Sequence, residues 1–168
     1  MKQPVVISKE DLVFRKACAE DAEAVLALYR AASKSGETEW DDEYPNMNTI
    51  QFDLSIDGLY VLCHHNEIVG AVSMIEWDDL NAMEFWTPAN ATVLARLCVH
   101  PQVRGAGLGL VMVEEIRRVA KARGFTATRH IASKYMEAPL RIYRSMGFRQ
   151  VGEVSMFDTD YYAFELEL

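Results

Sequence analysis

Apolar positions along this chain recur with a period near 3.6 in some stretches and near 2 in others, and polar runs separate them. Val13 to Lys16 reads as a short strand. From Ala19 to Ala32 the residues Ala22, Val25, Leu26, Tyr29 and Ala32 fall at helical spacing. Glu20 and Asp21 suit the first turn of that helix, where negative charge meets the positive end of the dipole. Ser33 to Asn46 is polar, acidic and broken by Gly36 and Pro45, which predicts a loop. A short helix is expected over Thr49 to Ile56. Leu59 to Cys63 and Ile68 to Ile75 are β-rich runs joined by His64-His65-Asn66-Glu67, the pattern of a hairpin. Asp78 to Asn90 reads as a second long loop, with Trp77, Phe85, Trp86 and Pro88 in or beside it.

The second half alternates more regularly. Thr92 to Val99 is a predicted strand that leads into Pro101 and a glycine-rich segment. Leu108, Met112, Ile116, Val119 and Ala120 give the next helix one apolar face, with Gly124 as its expected left-handed cap. Phe125 to Ala132 follows as a strand. Glu137 to Met146 is a helix carrying Leu140, Tyr143 and Met146 on one side and closed by Gly147. Phe148 to Val154 and Tyr161 to Leu168 form a final antiparallel pair. No internal repeat, low-complexity segment or linker interrupts the pattern, so a single α/β domain over residues 1–168 is expected.

Composition narrows the class. With 168 residues, 50% hydrophobic and 25% charged, the chain is long enough to bury a sizeable core. No apolar run approaches the roughly 18 residues that span a bilayer. The stretch MKQPVVISKEDL lacks the apolar centre of a secretory signal. Cys18, Cys63 and Cys98 are odd in number and far apart, which predicts reduced thiols and a cytoplasmic protein. A net charge of -8 argues against a general nucleic-acid binder. The charge is unevenly placed: Arg96 to Arg149 holds eleven Lys and Arg against three acids, a local net of +8. The glycine-rich segment lies within this basic stretch.

That segment, Arg104-Gly105-Ala106-Gly107-Leu108-Gly109, follows a strand and opens a helix. A helix start offers about four backbone N–H groups without internal partners and a dipole worth about +0.5 charge. Glycines remove the Cβ atoms that would hold a ligand off, and they permit positive φ. Several amides can then converge on one phosphate, with Arg104 as a cation at the rim. A dinucleotide fingerprint, G-x-G-x-x-G, does not fit, since the sixth residue from Gly105 is Leu110 and from Gly107 is Met112. A P-loop needs G-K-[ST], which is missing. A turn needed only for strand–helix packing is the bland alternative.

The run V-x-P-x-x-R-G-x-G-x-G, here Val99 to Gly109, resembles the acyl-CoA-binding motif of the GCN5-related N-acetyltransferase (GNAT) superfamily. Leu140 to Phe148 (LRIYRSMGF) is similar to that superfamily's later "lY-x-x-x-GF" segment, and Phe14 to Tyr29 to its usual first strand and helix. The resemblance implies a mixed, splayed central β-sheet flanked by helices, with acetyl-CoA as cosubstrate. It assigns Arg104, Gly105, Ala106, Gly107, Leu108 and Gly109 to the pyrophosphate. It assigns backbone groups of Leu97 and Val99, on the splaying strand, to the pantetheine and the thioester oxygen. Tyr143 becomes the general acid that protonates the departing thiolate; a tyrosine that only packs against the sheet is the alternative. One position departs from the family: an asparagine usual seven residues before the tyrosine is Met136 here, with Ser133, Lys134 and Tyr135 as neighbouring substitutes.

An alkylammonium must lose a proton before it attacks. Glu76 is the candidate base, with Glu39, Asp78, His100 and a water path behind it. Cys98 alternates with Leu97 and Val99 and reads as a buried thiol rather than a nucleophile. His64, His65, His100 and His130 lack metal-ligand spacing, so no metal is expected. Glu37, Glu39, Asp41, Asp42, Glu43, Glu76, Asp78, Asp79 and Glu84 are interspersed with Trp40, Tyr44, Trp77, Phe85 and Trp86. Acids beside aromatics favour a cationic acceptor, a small amine or peptide; a solvated acidic loop is the alternative. A non-catalytic acyl-CoA sensor, transfer of a longer acyl group and a homodimer all stay open, and neither nucleic acid nor membrane is an expected partner.

Overall fold

Each hydrophobic period becomes the element it predicts, with ends moved by one to three residues. The computed structural model describes residues 3, 6–36 and 38–168; Glu37, named above among the acids, lies outside them. Strand β1 is Leu12–Lys16, and helix α1 is Ala22–Lys34 behind a 3-10 turn at Ala19–Asp21. Helix α2, Met47–Ser55, starts two residues earlier than expected because the Asn46 side chain accepts from the Thr49 N–H at 3.1 Å, capping the helix. Strands β2 (Leu59–His64) and β3 (Glu67–Ile75) are joined through His65 and Asn66, both at positive φ, the backbone a two-residue hairpin demands. A single turn, α3 (Asp78–Asn81), interrupts the second loop; one turn is too short to show a period in the sequence.

Strand β4 is Ala91–Val99, and a 3-10 turn at Pro101–Val103 precedes α4, Leu108–Ala122. Strand β5 (Ala127–Ser133), helix α5 (Glu137–Ser145) and strands β6 (Arg149–Met156) and β7 (Thr159–Glu167) complete the chain. Gly124 and Gly147 take the left-handed conformation expected after α4 and α5, at φ 92° and 83°. The seven strands follow the order β1-β2-β3-β4-β5-β7-β6 in an open, mostly antiparallel sheet: β1–β2, β2–β3, β5–β7 and β6–β7 pair antiparallel, and β4–β5 pairs parallel. The parallel β4–β5 ladder spans Ala91–Val93 against Ala127–Arg129, although both strands run on beyond it.

Residues gather into two compact units, Met1–Ser73 with Arg96–Ile116, and Met74–Ala95 with Arg117–Leu168. In the first, α1 and α2 bury Val25, Leu28, Tyr29 and Ile50 against Leu59, Val61 and Ala71 of the sheet. In the second, Leu80 and Trp86 of the loop before β4 join Ile75, Val93 and Ala163. Each large apolar side chain fully buried this way contributes about 1.5–3 kcal/mol of transfer free energy. No helix among the described residues is long and apolar enough to cross a membrane.

Candidate active site

In the first unit, β4 ends by donating the His100 N–H to the Val69 carbonyl at 2.7 Å. The His100 ring is taken up locally, its Nδ1 accepting from the Gln102 N–H at 3.2 Å. Arg104, half-buried, donates to the Ser35 hydroxyl at 2.8 Å. Gly105 and Gly107 stand at φ 86° and 78°, with open space where a Cβ would lie. Their requirement is therefore conformational and not one of packing, against the bland alternative of a tight strand–helix turn. The first helical bond of α4 runs from the Val111 N–H to the Gly107 carbonyl at 3.2 Å. By helix geometry the N–H groups of Leu108, Gly109 and Leu110 have no helical acceptor and remain as donors at the helix start.

On the last part of β4, Leu97 and Val99 are half-buried while Cys98 between them is buried. Burial pushes the Cys98 thiol up to about 12, so it is a protonated core residue at neutral pH. The residue before Leu97 is unusual. Arg96 sits inside the strand at φ 52°, a left-handed conformation that costs an L-residue about 1–2 kcal/mol. Its guanidinium grips Asp53 of α2 through Nη2 to Oδ1 at 2.6 Å and Nε to Oδ2 at 3.0 Å. Asp53 is completely buried and accepts a further bond from the Ser73 hydroxyl at 2.7 Å. The remaining arm of Arg96 donates to the Tyr44 hydroxyl at 3.1 Å. Burial disfavours the Arg96 charge, but the adjacent Asp53 outweighs it and raises the pKa. Sequence reasoning missed this cluster; the one visible signal was a lone arginine within the apolar run ATVLARLCV.

Also in the first unit, Asp41 accepts from the Glu43 and Tyr44 N–H groups at 2.8 and 2.9 Å, and Trp40 packs edge-on against Tyr29. Part of the acidic loop thus serves its own turn, while Asp42 and Glu43 are exposed. Glu39 is exposed as well. At the hairpin turn Asp11 joins the histidine pair, its carboxylate 3.9 Å from His65 Nε2, so that Asp11, His64 and His65 bring ligand atoms within 4.8 Å of one another.

In the second unit, Tyr143 lies on the buried face of α5, which the Phe148 N–H closes by returning to the Tyr143 carbonyl at 3.1 Å. Its ring meets His130 at 4.0 Å between centroids and packs with Phe148 and Phe164. Burial pushes the phenol pKa above its ordinary value, farther from a thiol than an exposed tyrosine would be. His130 is buried with neither ring nitrogen hydrogen-bonded, and burial pushes its pKa down to about 3. Met136 occupies the N-cap position of α5 and makes no side-chain cap bond. Its neighbours are engaged elsewhere: Ser133 Oγ accepts from the Tyr135 N–H at 3.2 Å, Lys134 pairs with Glu153 at 2.6 Å, and the Tyr135 hydroxyl donates to Asp160 at 3.1 Å.

Glu76 is exposed, one residue past the end of β3, and Thr92 Oγ1 donates to the Ile75 carbonyl at 3.5 Å where β3 borders β4. Asp78, Asp79 and Glu84 are exposed too. Two aromatics expected beside them turn to the core instead, Trp86 within it and half-buried Phe85 against it. Trp86 is buried, donates to the Leu80 carbonyl at 2.8 Å, and already has the Arg129 guanidinium over its ring at 5.2 Å. Phe85 lies on Gly152, where a Cβ would come within 2.5 Å of the ring. Trp77 stacks on Phe157 at 6.1 Å. The loop itself is pinned by Thr87, which donates through its hydroxyl and N–H to Glu165 at 2.5 and 3.1 Å, and by Arg149 on the same carboxylate.

The sequence model of the acetyltransferase (GNAT) domain family matches residues 55–150, more than half of the chain. No curated protein sequence matches it. Solved structures with the same fold include a GNAT-family acetyltransferase from Streptococcus agalactiae (TM-score 0.78, 18% identity, covering 94% of this chain and 95% of that one). Another is a ribosomal-protein-alanine N-acetyltransferase from Brucella melitensis (0.75, 20%, 93% and 99%). A third is the PaiA N-acetyltransferase from Thermoplasma acidophilum in complex with coenzyme A (0.71, 16%, 94% and 99%).

Proposed function

This chain belongs to the GNAT acetyltransferase family, and from that premise we propose that it transfers an acetyl group from acetyl-CoA directly to the primary amine of a small cationic metabolite or peptide. The observation that carries the proposal is the loop between β4 and α4. Gly105 and Gly107 adopt positive φ with nothing crowding them, and the α4 start, whose first amides have no acceptor within the helix, follows at once. A diphosphate fits such a donor set, with Arg104 to Gly109 as its cradle. The coenzyme A complex of the Thermoplasma neighbour supports the same cosubstrate here.

In the reaction the amine nitrogen attacks the thioester carbonyl, the new N–C bond forms and the C–S bond breaks. A backbone amide of Leu97 or Val99 stabilises the developing oxyanion, a contribution typically about 3 kcal/mol. Glu76 takes the proton the ammonium must lose, directly or through water. Tyr143 returns a proton to the departing sulfur. Its raised pKa keeps the phenol protonated throughout the neutral range, so the donor is present, though less acidic than in water. The roles of Tyr143 and Glu76 come from the family resemblance and from chemical need. Both units act as one N-acetyltransferase domain over residues 1–168, in keeping with a family match that draws on each of them. Three free cysteines suit the cytoplasm.

Exposed Asp42, Glu43, Glu76, Asp78, Asp79 and Glu84 support a cationic acceptor through charge. Aromatic support is narrower than the sequence promised, since Trp86 belongs to the core and Phe85 packs against it. One observation favours the second reading, an acyl-CoA sensor: burial raises the Tyr143 phenol pKa and makes it a poorer proton donor than a free tyrosine. Thiol release from acetyl-CoA with polyamines, amino acids, aminoglycosides and peptides separates the two. Release with cationic amines supports the transferase. Coenzyme A binding with no release from any acceptor supports the sensor, and a strong preference for neutral or anionic acceptors ends the cationic proposal.

A further inference from the structure

The left-handed residue inside β4 has no explanation in its amino-acid type. Arginine gains nothing from positive φ, unlike glycine or asparagine. Such a conformation persists only where the surroundings over-determine it. Here they do so through the side chain. Asp53 is fixed by α2, whose start is capped by Asn46, and by the Ser73 hydroxyl on β3. From that anchor it accepts three bonds from Arg96, all between 2.6 and 3.0 Å. A residue at positive φ within a strand re-aims the backbone that follows, as in a β-bulge. The backbone that follows is Leu97 to Val99, which the proposed mechanism uses for the thioester oxygen.

We infer that Arg96 is a positioning residue: its ion pair with buried Asp53 holds the left-handed step in β4 and thereby aims the main-chain amides of residues 97–99 at the reacting carbonyl. The inference rests on the acetyltransferase reading above. Tyr44 reports on the same arrangement from the polar loop, because its hydroxyl takes the arm of Arg96 that Asp53 does not. A binding role for the Arg96 cation is less economical. Its side chain is only 10% exposed, and its donors already face a carboxylate and a phenol.

The test uses the full chain. Removing one partner alone would strand a buried charge, so the informative variant replaces both, Asp53→Leu with Arg96→Met, a swap of similar volume that commonly keeps or raises stability. With the best acceptor of the amine panel, kcat should fall at least about tenfold, roughly 1.4 kcal/mol in the barrier. The acetyl-CoA KM and the melting temperature should stay close to wild type. Arg96→Lys, which keeps the charge without the fork, should fall between. A kcat within twofold of wild type in the double variant overturns the inference. Should wild type release no thiol with any amine, the transferase reading fails separately. The inference is then judged by amide hydrogen exchange, where residues 97–99 should exchange at least about tenfold faster in the double variant while α1 and β2 are unchanged; equal exchange at 97–99 overturns it.

Discussion

Both units bury polar side chains next to residues given work in the reaction, and they do so in opposite ways. In the first, Asp53 and Arg96 are charged, and their bonds to each other, to Ser73 and to Tyr44 engage both groups. In the second, the His130 imidazole is neutral, has neither ring nitrogen hydrogen-bonded, and is held between the rings of Tyr143, Phe148 and Phe164. A paired charge locks a backbone because moving either partner exposes the other to a low dielectric. An unpaired imidazole locks nothing by bonding; it fills space and keeps a phenol dry. The first arrangement gives direction, the second gives environment.

Breaking the pair should have the largest effect. Arg96→Ala leaves the Asp53 carboxylate buried without its cation, an expected loss of about 3–5 kcal/mol in urea unfolding. A loss below 1 kcal/mol would show that water reaches the site. Next comes Tyr143→Phe, which should slow thiol release about a hundredfold, within the range for general-acid loss, while calorimetry finds coenzyme A affinity unchanged. Undiminished turnover would reduce Tyr143 to a packing residue.

The imidazole can be tested by pH. The ordinary His value is 6.5, and His130 lies near 3 in the folded state, so between these the unfolded chain binds a proton that the native one refuses. Stability is therefore lost as pH falls below about 6.5, at about 1.4 kcal/mol per unit for this group. His130→Phe should remove that term, making the variant about 2 kcal/mol less acid-sensitive than wild type between pH 6.5 and 5. Parallel pH profiles would mean that the ring finds a partner or solvent. Smallest is Ser73→Ala, which takes one of several donors from Asp53 and should cost about 1–2 kcal/mol in stability while leaving the Arg96 fork in place.

The difference between the units also explains what could be read in advance. Elements whose apolar face repeats over several turns or pleats, such as α1, α4 and β3, were legible to within three residues. So was the backbone of the glycine loop, with Gly105 and Gly107 at positive φ, because closely spaced glycines carry that signal in their spacing. The Asp53–Arg96 pair was not. An aspartate in a short helix and an arginine in a strand are each compatible with solvent, and only the fold of the first unit brings them together. Phe85 and Trp86 counted toward a cationic acceptor because they sit beside acids in a polar loop; their partners, Gly152 and Arg129, come from β6 and β5 much later in the chain. His130 carried no sign of its role, since its neighbours arrive from α5, β7 and the residue just before β6.

The floor beneath Phe85 sets a rule of its own. At residue 152 only a hydrogen fits, since even a methyl would overlap three atoms of the ring. The two sites therefore behave as one unit of inheritance: a bulkier residue on β6 demands a slimmer one in the loop before β4. Random libraries that vary residue 152 alone should return almost nothing but glycine, whereas libraries varying residues 85 and 152 together should recover new combinations.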